Sequence, residues 1–264
     1  MTVPLFSIIT INYNNRSGLV KTIESVLNQS DKGLKYEFII IDGGSQDGSK
    51  EIIEQYTEKL TYWVSEPDNG VYHAMNRGII KANGIYLYFL NSGDVFENKE
   101  VLLTIQHYLK DKSVDILYGN VIDENTNGHR IRRERPYLSK INLFRKMICH
   151  QSIFAKKELF IKNGLFDETY RIKSDYDWLI KNLFSNANYK YVDELICIYM
   201  GGGMSETCYE TISIYEMPKI IAKYYTPKSQ YFIKKFLINP RIIRYTAFHL
   251  KSTFLLKLLD KFII

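Results

Sequence analysis

The sequence contains few cysteines, and none of them belongs to a motif. Three occur among 264 residues, Cys149, Cys197 and Cys208, and no two are spaced as Cys-x-x-Cys. An odd number without paired spacing argues against a disulfide framework and against a thiolate metal site. The cysteine content is therefore typical of a protein that works in the reducing cytosol.

Long apolar runs and the common nucleotide-binding glycine motifs are also missing. Residues 1–7 lack the basic and apolar regions of a secretory signal. No uninterrupted apolar run approaches the roughly 20 residues that cross a bilayer. Neither Gly-x-Gly-x-x-Gly nor the Gly-Lys-Ser/Thr P-loop occurs, which argues against a dinucleotide oxidoreductase and against a P-loop NTPase.

What the sequence does contain is a series of short apolar runs that end in small polar residues. Residues 5–12 and 36–42 both have the pattern of a buried parallel strand, and helical apolar spacing over 19–29 separates them. Further elements alternate after them: strands over 62–64, 85–90 and 114–119, and helices over 49–58, 71–82 and 98–110. This alternation predicts a parallel sheet covered by helices on both faces. Ligands bind at the carboxyl ends of such strands, so we expect a nucleotide pocket there.

The alternation stops after residue 120. Residues 123–140 are polar and rich in arginine, so we expect an excursion or flexible loop there. Shorter elements follow: strands over 151–155, 190–192 and 196–200, and helices over 157–162 and 175–183. From residue 206 onward the pattern predicts helices that break at Pro218, Pro227 and Pro240.

Positive charge is concentrated at the carboxyl terminus. Residues 211–264 contain ten Lys/Arg and two Asp/Glu, a surplus of eight, whereas the net charge of +6 leaves residues 1–210 at −2. Basic helices with interleaved aromatic and aliphatic residues bind anionic membrane surfaces, although such helices also pack on a domain and leave their lysines in solvent. Nucleic acid is a weaker explanation, because the cations share their faces with bulky aliphatic residues.

Four acidic residues occupy positions where chemistry is expected. Asp42 ends the second strand, where it could accept hydrogen bonds from a nucleobase or ribose, but Asp-Gly-Gly is also ordinary turn chemistry. Asp94 ends the fourth strand and could hold Mg²⁺ or Mn²⁺ beside a diphosphate, or simply occupy a turn. Asp175 and Asp177 open a helix and point to different sides of it, so only one should face a given site, where it could act as a general base. Alternatively, these residues occur there only because acidic side chains favour a helix amino terminus through its dipole.

Two further side chains have ambiguous roles. His150 precedes a strand and could contact phosphate, metal or acceptor, although lone histidines are commonly structural. Arg77 could lie near phosphate or occupy an exposed helix surface.

The order and spacing of these segments resemble those of family 2 glycosyltransferases with the GT-A fold. The resemblance extends from about Ser7 to Ser205 and is closest to the subgroup that builds bacterial surface polysaccharides. It rests on these segments: Ser7-Ile-Ile-Thr10, Thr22-Ile-x-Ser-Val-x-x-Gln29, Ile41-Asp-Gly-Gly-Ser-x-Asp-Gly48, Glu66-Pro-Asp-x-Gly-Val-Tyr-x-Ala-Met-Asn-Arg-Gly78, Phe89-Leu-Asn-Ser-Gly-Asp94, His150-Gln-Ser-Ile-Phe154, Gly164-x-Phe-Asp167, Ser174-Asp-Tyr-Asp177 and Gly202-Gly-Met-Ser205.

The resemblance implies an α/β fold of the GT-A type, which is a Rossmann-like mixed sheet with helices on both faces, plus a C-terminal helical extension. It implies a catalytic domain over 1–205, with a nucleotide-sugar-binding half over about 1–120 and an acceptor-binding half over 121–205. A basic amphipathic helical tail would occupy 206–264.

The resemblance also implies an inverting, metal-dependent transfer from a nucleoside diphosphate sugar, with a UDP-sugar favoured. By this analogy Asp42 contacts the base or ribose, Asp94 holds Mn²⁺ or Mg²⁺, and Asp175 is the general base, with Asp177 as the fallback. The other donor-binding residues that the analogy implies are Thr10, Asn12, Gly44, Asn76, Arg77, Ser92 and His150.

Three positions depart from the family pattern. The usual Asp-x-Asp-Asp strand end is Asn91-Ser-Gly-Asp94 here, the common Ala-Arg-Asn segment has Met75 in place of its arginine, and Ser174 replaces the Glu of the Glu-Asp pair. The Gln-x-x-Arg-Trp signature of processive synthases is missing, which favours transfer of a single sugar over polymerisation.

We therefore expect a cytoplasmic glycosyltransferase, peripheral at the inner face of the cell membrane, that acts on a lipid-linked saccharide. Two other functions are alternatives to a glycosyltransferase. A sugar nucleotidyltransferase would need a basic, glycine-rich loop after the first strand, but residues 12–18 contain one cation. A non-catalytic nucleotide-sugar-binding scaffold subunit would be consistent with the changes at Asn91 and Ser174.

Overall fold

The computed structural model describes residues 3–30, 32–110, 113–125, 128–201 and 209–237. Within these residues nine strands form one mixed sheet. The strands are β1 (Phe6–Asn12), β2 (Tyr36–Asp42), β3 (Tyr62–Ser65), β4 (Tyr86–Phe89), β5 (Val95–Phe96), β6 (Ile116–Asn125), β7 (Gly128–Arg132), β8 (Ile153–Lys156) and β9 (Tyr189–Tyr199).

Helices cover both faces of this sheet. They are α1 (Arg16–Leu27), α2 (Ser49–Gln55), α3 (Val71–Lys81), α4 (Val101–Tyr108), α5 (Lys140–Arg145), α6 (Lys157–Asn163), α7 (Ser174–Phe184), α8 (Tyr209–Tyr224) and α9 (Pro227–Phe232). Short 3-10 turns occupy Thr57–Lys59 and His150–Ser152, and a π-helical turn, Ile233–Leu237, follows α9.

The strand order brings the carboxyl ends of the first strands together. Neighbours in the sheet run β3-β2-β1-β4-β8-β6-β9-β5, and β7 pairs with β6. β1 is parallel to both β2 and β4, and β2 is parallel to β3, whereas β8 is antiparallel to β4 and β6. Because parallel strands end at the same edge, the loops that follow β1 to β4 meet there. The predicted GT-A arrangement of sheet and helices is confirmed.

Two apolar clusters lie on opposite faces of the sheet, because successive strand residues point to opposite sides. Ile8 of β1 and Leu19 of α1 belong to one cluster, and Ile9 of β1 and Met75 of α3 belong to the other, so α3 lies close to β1 on that face. Gly78 permits this second contact, since a Cβ there would lie 2.5 Å from Ile9 Cγ2. The continuous apolar pattern of the first strands therefore reflects burial on both faces.

The expected loop over 123–140 is partly wrong. β6 continues to Asn125 and forms a hairpin with β7, and α5 follows. Most β7 residues are exposed, so the hairpin has no alternation of apolar and polar residues to reveal it. The two strands predicted over 190–192 and 196–200 are likewise one continuous strand, β9.

The predicted C-terminal helical extension is confirmed. Pro218 does not break it, because α8 runs through that residue. A proline within a helix forfeits its bond to the carbonyl four residues earlier, here Ile214, whose residue is 66% exposed to water. Pro227 does mark a boundary, since it begins α9 after the capping residue Thr226, whereas Pro240 lies outside the described residues.

The C-terminal helices pack on the catalytic body. Ile220, Tyr225 and Ile233 are buried in the same apolar cluster as α7. Searched over the described residues, no helix has the length and apolar character needed to span a membrane.

Candidate active site

A cavity of about 1120 Å³ opens at the carboxyl ends of the parallel strands. It is bordered by the loops after β1, β2 and β4, by the turn before β8 and by the first turn of α7. Its lining includes Asn12, Tyr13, Gly43, Gly44, Tyr72, Asn91, Ser92, Asp94, His150, Gln151 and Asp175. Asn12, Gly44, Ser92, His150, Asp94 and Asp175, six residues predicted from sequence, are thus brought to one cavity.

Asp42 lies directly behind this lining. Its side chain is fully buried and accepts hydrogen bonds from Asn12 Nδ2 at 2.7 Å, from Ser65 Oγ at 2.7 Å and from the backbone and hydroxyl of Ser45. Burial alone would raise the pKa of Asp42, but these hydrogen bonds hold the pKa below its ordinary value. The carboxylate is therefore ionised and lies behind the lining, and its direct contact with the donor stays a prediction.

Asp94 is buried in the connection between β4 and β5, directly before β5, and belongs to the cavity lining. Its Oδ2 accepts a hydrogen bond from Gln151 Nε2 at 3.0 Å, and its Oδ1 accepts one from the Met200 backbone N–H at 3.1 Å. The carboxylate is therefore held by the turn before β8 and by the backbone that follows β9.

The donor set fits a divalent metal that is shared with a ligand. No cluster of three or more His, Cys, Asp or Glu side chains suited to a metal occurs in the described part of the chain. Asp94 supplies one carboxylate. The neighbouring Asn91 Oδ1 is buried and has no hydrogen-bond partner among the described residues. One or two protein oxygens, completed by phosphate oxygens and water, are what Mg²⁺ commonly uses.

Asp175, in the first turn of α7, is held by groups from two distant segments. The Tyr72 hydroxyl donates to its Oδ1 at 2.8 Å, and His150 Nδ1 lies 3.4 Å from its Oδ2. Burial would raise the pKa of Asp175, but the hydrogen bonds from His150 and Tyr72 keep the pKa below its ordinary value. The side chain remains 15% exposed, so an ionised carboxylate faces the cavity.

His150 connects this carboxylate to the end of β4. Its Nε2 lies 3.1 Å from Asn91 Nδ2, on the side of the ring opposite Asp175. An ionised Asp175 favours a proton on Nδ1, which leaves Nε2 as an acceptor for the Asn91 amide. The imidazole thus links the two sides of the cavity.

Asp177 lies away from the cavity lining, as expected for a residue two positions from Asp175 on one helix. Both of its carboxylate oxygens accept hydrogen bonds of 3.0 Å from Lys223 Nζ in α8. This ion pair joins α8 to α7, and the assignment of Asp177 as the fallback base stays a prediction.

Three other predicted donor contacts also lie outside the lining. Thr10 Oγ1 donates to the Leu90 carbonyl at 2.7 Å and so joins β1 to the end of β4. The Asn76 amide donates to the Phe166 carbonyl at 2.9 Å, and Arg77 pairs with Glu66 at 2.7 Å. The polar groups of all three residues bind other parts of the chain, and their contacts with the donor stay predictions.

Several lining residues escaped the sequence analysis. Tyr13 is 69% exposed, and Tyr72 contacts a carboxylate 103 residues further along the chain. Asn15 caps α1 through the Gly18 N–H and also donates to the Ser92 carbonyl at 3.0 Å. The Asn15 cap has a local signal, an Asn just before a helix, but the contacts across the cavity have none.

The fold is that of GT-A glycosyltransferases. Staphylococcus aureus TarS, solved as residues 1–349 with UDP-GlcNAc, superposes with a TM-score of 0.67 at 19% identity, covering 83% of this chain and 65% of that one. The mannosyltransferase PcManGT of Pyrobaculum calidifontis, solved with GDP-Man and Mn²⁺, gives 0.63 at 17% identity, covering 83% and 64%. The chain spans only 43% of the longer TarS structure.

Sequence similarity defines the family. The model of glycosyl transferase family 2 matches residues 7–190. The chain therefore belongs to glycosyltransferase family 2, and it is a glycosyltransferase.

Curated relatives are consistent with this assignment. An uncharacterized glycosyltransferase of Mycobacterium tuberculosis (strain H37Rv) is 35% identical over 182 residues, which are 68% of this chain and 69% of the relative. A PGL/p-HBAD biosynthesis glycosyltransferase of Mycobacterium bovis (strain BCG) is 30% identical over 228 residues, which are 83% and 86% of the two chains.

The buried Asp42 predicts a specific dependence of stability on pH. Because its pKa is lower in the folded chain than the ordinary 3.8, ionised Asp42 stabilises the fold fully above pH 3.8, and this contribution is lost as the pH falls through the folded value. We expect Asp42→Asn to lower the free energy of unfolding by about 1–3 kcal/mol at pH 7, and this deficit to shrink at pH 3.

Urea unfolding at pH 7, 5 and 3 measures the deficit. Ile80→Ala, at a residue that is 64% exposed, introduces no titrating group and should follow the wild-type pH dependence. A deficit for Asp42→Asn that stays constant or grows toward pH 3 would show that the ionised carboxylate of Asp42 does not stabilise the fold.

Proposed function

We propose that this glycosyltransferase moves one sugar from a nucleoside diphosphate sugar, preferably a UDP-sugar, to a hydroxyl of a lipid-linked saccharide. The transfer inverts the anomeric centre and uses a divalent metal. The enzyme works in the cytoplasm at the inner face of the cell membrane, in the synthesis of a surface polysaccharide or glycolipid.

The observation that carries this proposal is the presence of Asp94 and Asp175 in one cavity at the carboxyl ends of parallel strands. The cavity volume of about 1120 Å³ is sufficient for a nucleotide sugar, since ligand sites commonly measure about 300–1,000 Å³. Structural neighbours bound to UDP-GlcNAc and to GDP-Man support this class of donor. The relative named for PGL/p-HBAD biosynthesis supports a glycolipid or polysaccharide context.

In the proposed reaction Asp175 accepts the proton of the acceptor hydroxyl. The hydroxyl oxygen forms a bond to the anomeric carbon on the face opposite the diphosphate, and the bond from that carbon to the diphosphate oxygen breaks. Tyr72 and His150 hold Asp175 ionised and fixed in direction, which a base needs before the acceptor arrives. Attack from the opposite face produces inversion.

Asp94, with Asn91 beside it, is the group that would hold the metal. A bound Mn²⁺ or Mg²⁺ supplies positive charge that stabilises the departing diphosphate. Gln151 and the Met200 N–H keep Asp94 oriented for this purpose.

The described surface of the C-terminal helices supports membrane association. Ile214 and Tyr215 of α8 and Tyr231 and Phe232 of α9 are exposed. Lysines share this region: Lys219, Lys228, Lys234 and Lys235 are all exposed. Apolar side chains that enter the interface, together with cations that contribute about 1 kcal/mol each near anionic lipid, suit a membrane surface.

Family membership decides against the two alternatives. A nucleotidyltransferase and a non-catalytic scaffold both remain conceivable from the strand-end residues alone. The match over residues 7–190 is to glycosyl transferases, and the ionised carboxylate of Asp175 in the cavity supports a catalytic role.

The role of Asp175 as the base can be tested by comparing the transfer rates of variants at Asp175 and Asp177, which share the first turn of α7. We expect Asp175→Asn to reduce the rate of sugar transfer by about 10²–10⁴-fold with unchanged UDP affinity. Asp177→Asn, the matched control on the same helix, should change the rate only a few-fold. The release of UDP from a panel of UDP-sugars measures the rate, and the reverse ranking of the two variants would exclude Asp175 as the base.

If Asp94 holds the metal, the Asp94→Asn variant should no longer bind UDP more tightly when Mn²⁺ is present. In wild type, Mn²⁺ should tighten UDP binding measured by calorimetry, and a chelator should reverse the gain. Asp94→Asn should remove this gain, because the variant lacks the carboxylate that holds the metal. Asp68→Asn, which alters another lining carboxylate, should retain the gain. An undiminished Mn²⁺ response in Asp94→Asn would exclude this residue as the ligand.

Membrane association can be tested with vesicles. The protein should sediment with vesicles that contain phosphatidylglycerol, less with pure phosphatidylcholine, and less again at high salt, which screens surface charge. Tyr231→Ser combined with Phe232→Ser should weaken sedimentation. Ile161→Ser, at an exposed apolar residue of α6, should not. Sedimentation that is independent of both lipid charge and the α9 variant would refute this surface.

A further inference from the structure

The charged groups of the cavity lining differ between its two sides. Residues before 120 contribute two of them, Asp68 and Asp94, and both are acidic. Residues after 120 contribute Asp175 together with four cations, here called the cationic rim: Arg132, Lys146, Arg171 and Lys173. In the described part of the chain, every lysine and arginine of the lining therefore belongs to the side that contains the proposed base.

Arg132 comes from the arginine-rich segment over residues 123–140, which the proposed function leaves without a role. It is the last residue of β7. Arg130 and Arg133 of the same segment are exposed to water, whereas the side chain of Arg132 is only 24% exposed and lines the cavity. The hairpin thus delivers one of its arginines to the site.

The Arg132 guanidinium is held in place by the protein. Its Nε lies 2.9 Å from Glu134 Oε1, and its Nη2 donates to the Met147 carbonyl at 3.4 Å. Glu134 is itself buried and accepts a hydrogen bond of 2.9 Å from the Cys149 N–H. A guanidinium has five N–H donors, more than these two contacts use. A planar cation fixed in this way suits the paired oxygens of a phosphate or carboxylate.

The segment that contains Arg171 and Lys173 is fixed through its backbone. The N–H groups of Arg171 and Ile172 donate to the two carboxylate oxygens of Glu216 in α8, at 2.6 and 3.1 Å. Arg171 is exposed and Lys173 is half-buried. Lys173 precedes Asp175 by two residues, so these cations are anchored beside the proposed base.

Asp175 identifies the ligand that meets the rim. A general base must lie within hydrogen-bond reach of the hydroxyl that it deprotonates, so the acceptor occupies this side of the cavity. The donor diphosphate is assigned to Asp94, on the other side, where a divalent metal supplies positive charge. A neutral saccharide would cover the rim without compensating its charge, which is costly. An anionic group would instead form charge-assisted hydrogen bonds with it.

We propose that the acceptor carries a negatively charged group, a phosphate or a carboxylate, and that the cationic rim binds this group while the accepting hydroxyl lies at Asp175. The inference rests on the proposed function, and it specifies the class of acceptor. Two parts of a lipid-linked saccharide offer such chemistry, namely an acidic or phosphorylated sugar and the diphosphate that joins the sugar to the lipid. The rim recognises what they share, a pair of anionic oxygens.

Calorimetry on the protein saturated with UDP and Mg²⁺ tests the proposal, because the donor side is then filled. Methyl glucuronide and the 6-phosphate of methyl glucoside are compared with neutral methyl glucoside, and geranyl diphosphate is compared with geraniol. We expect at least one anionic probe to bind about tenfold more tightly than its neutral counterpart, and this preference to fall at high salt. A preference confined to geranyl diphosphate would support the proposal with the lipid carrier as the source of the anion, and one for a charged glycoside would support it with the saccharide as the source.

Variants then assign the preference to the rim. Arg171→Gln combined with Lys173→Gln should reduce it to about twofold or less, with UDP affinity unchanged, because the backbone contacts with Glu216 remain. Lys21→Gln combined with Lys162→Gln is the matched control. It removes the same charge at two exposed residues outside the lining, so the preference should stay at the wild-type value. Thermal melting verifies that each variant is folded.

The outcomes separate this inference from the function on which it rests. Equal binding of anionic and neutral probes by UDP-saturated wild type would overturn the inference alone, as would a wild-type preference in the folded rim variant. A loss of UDP affinity in that variant would assign the cations to the donor diphosphate and would also overturn it. If the variant does not fold, the probes and their salt dependence on wild type still decide. Failure of wild type to bind UDP with Mg²⁺ present would instead refute the proposed function.

Discussion

The register of three parallel strands is the constraint on which the rest of the site depends. In this register Asn12 of β1 lies opposite Asp42 of β2, and Asp42 lies opposite Ser65 of β3. Asn12, Asp42 and Ser65 therefore form one row of polar residues at the ends of three apolar strands. Hydrogen bonds from Asn12 and Ser65 to Asp42 hold this row in place. A slip of one residue would turn every side chain of a strand to the other face of the sheet, so the apolar core and the polar row require the same alignment.

The second half of the site is assembled from segments that are distant in the chain. Tyr72 from α3 and His150 from the turn before β8 converge on Asp175 at the start of α7. A largely buried carboxylate stays ionised only with such partners, so its protonation state is a property of the completed fold. Asn91, which contacts His150, extends the same network to the loop that also contains Asp94. The proposed proton acceptor and the proposed metal ligand are thus held by one continuous set of contacts.

Sequence patterns predicted the parts of this arrangement that have a local signal. The first strands are long apolar runs because they are buried on both faces, and their polar ends mark the cavity, which is how Asp94 could be located. Side-chain direction has no such signal. Thr10 looks like a strand-end ligand, yet its hydroxyl binds the Leu90 carbonyl 80 residues away. The β6–β7 hairpin was not predicted, because most β7 residues are exposed and the strand therefore lacks the alternation of apolar and polar residues that marks a half-buried strand.

The first turn of α7 borders the cavity on one side and, through the ion pair between Asp177 and Lys223, contacts α8 on another. Asp175 in this turn faces the cavity, whereas Asp177 is almost fully buried and pairs with Lys223 of α8. A chain shortened before α8 would lose the Lys223 counter-charge of Asp177, on the same turn that presents Asp175. Through this ion pair the C-terminal helices are joined to the helix that carries the proposed base.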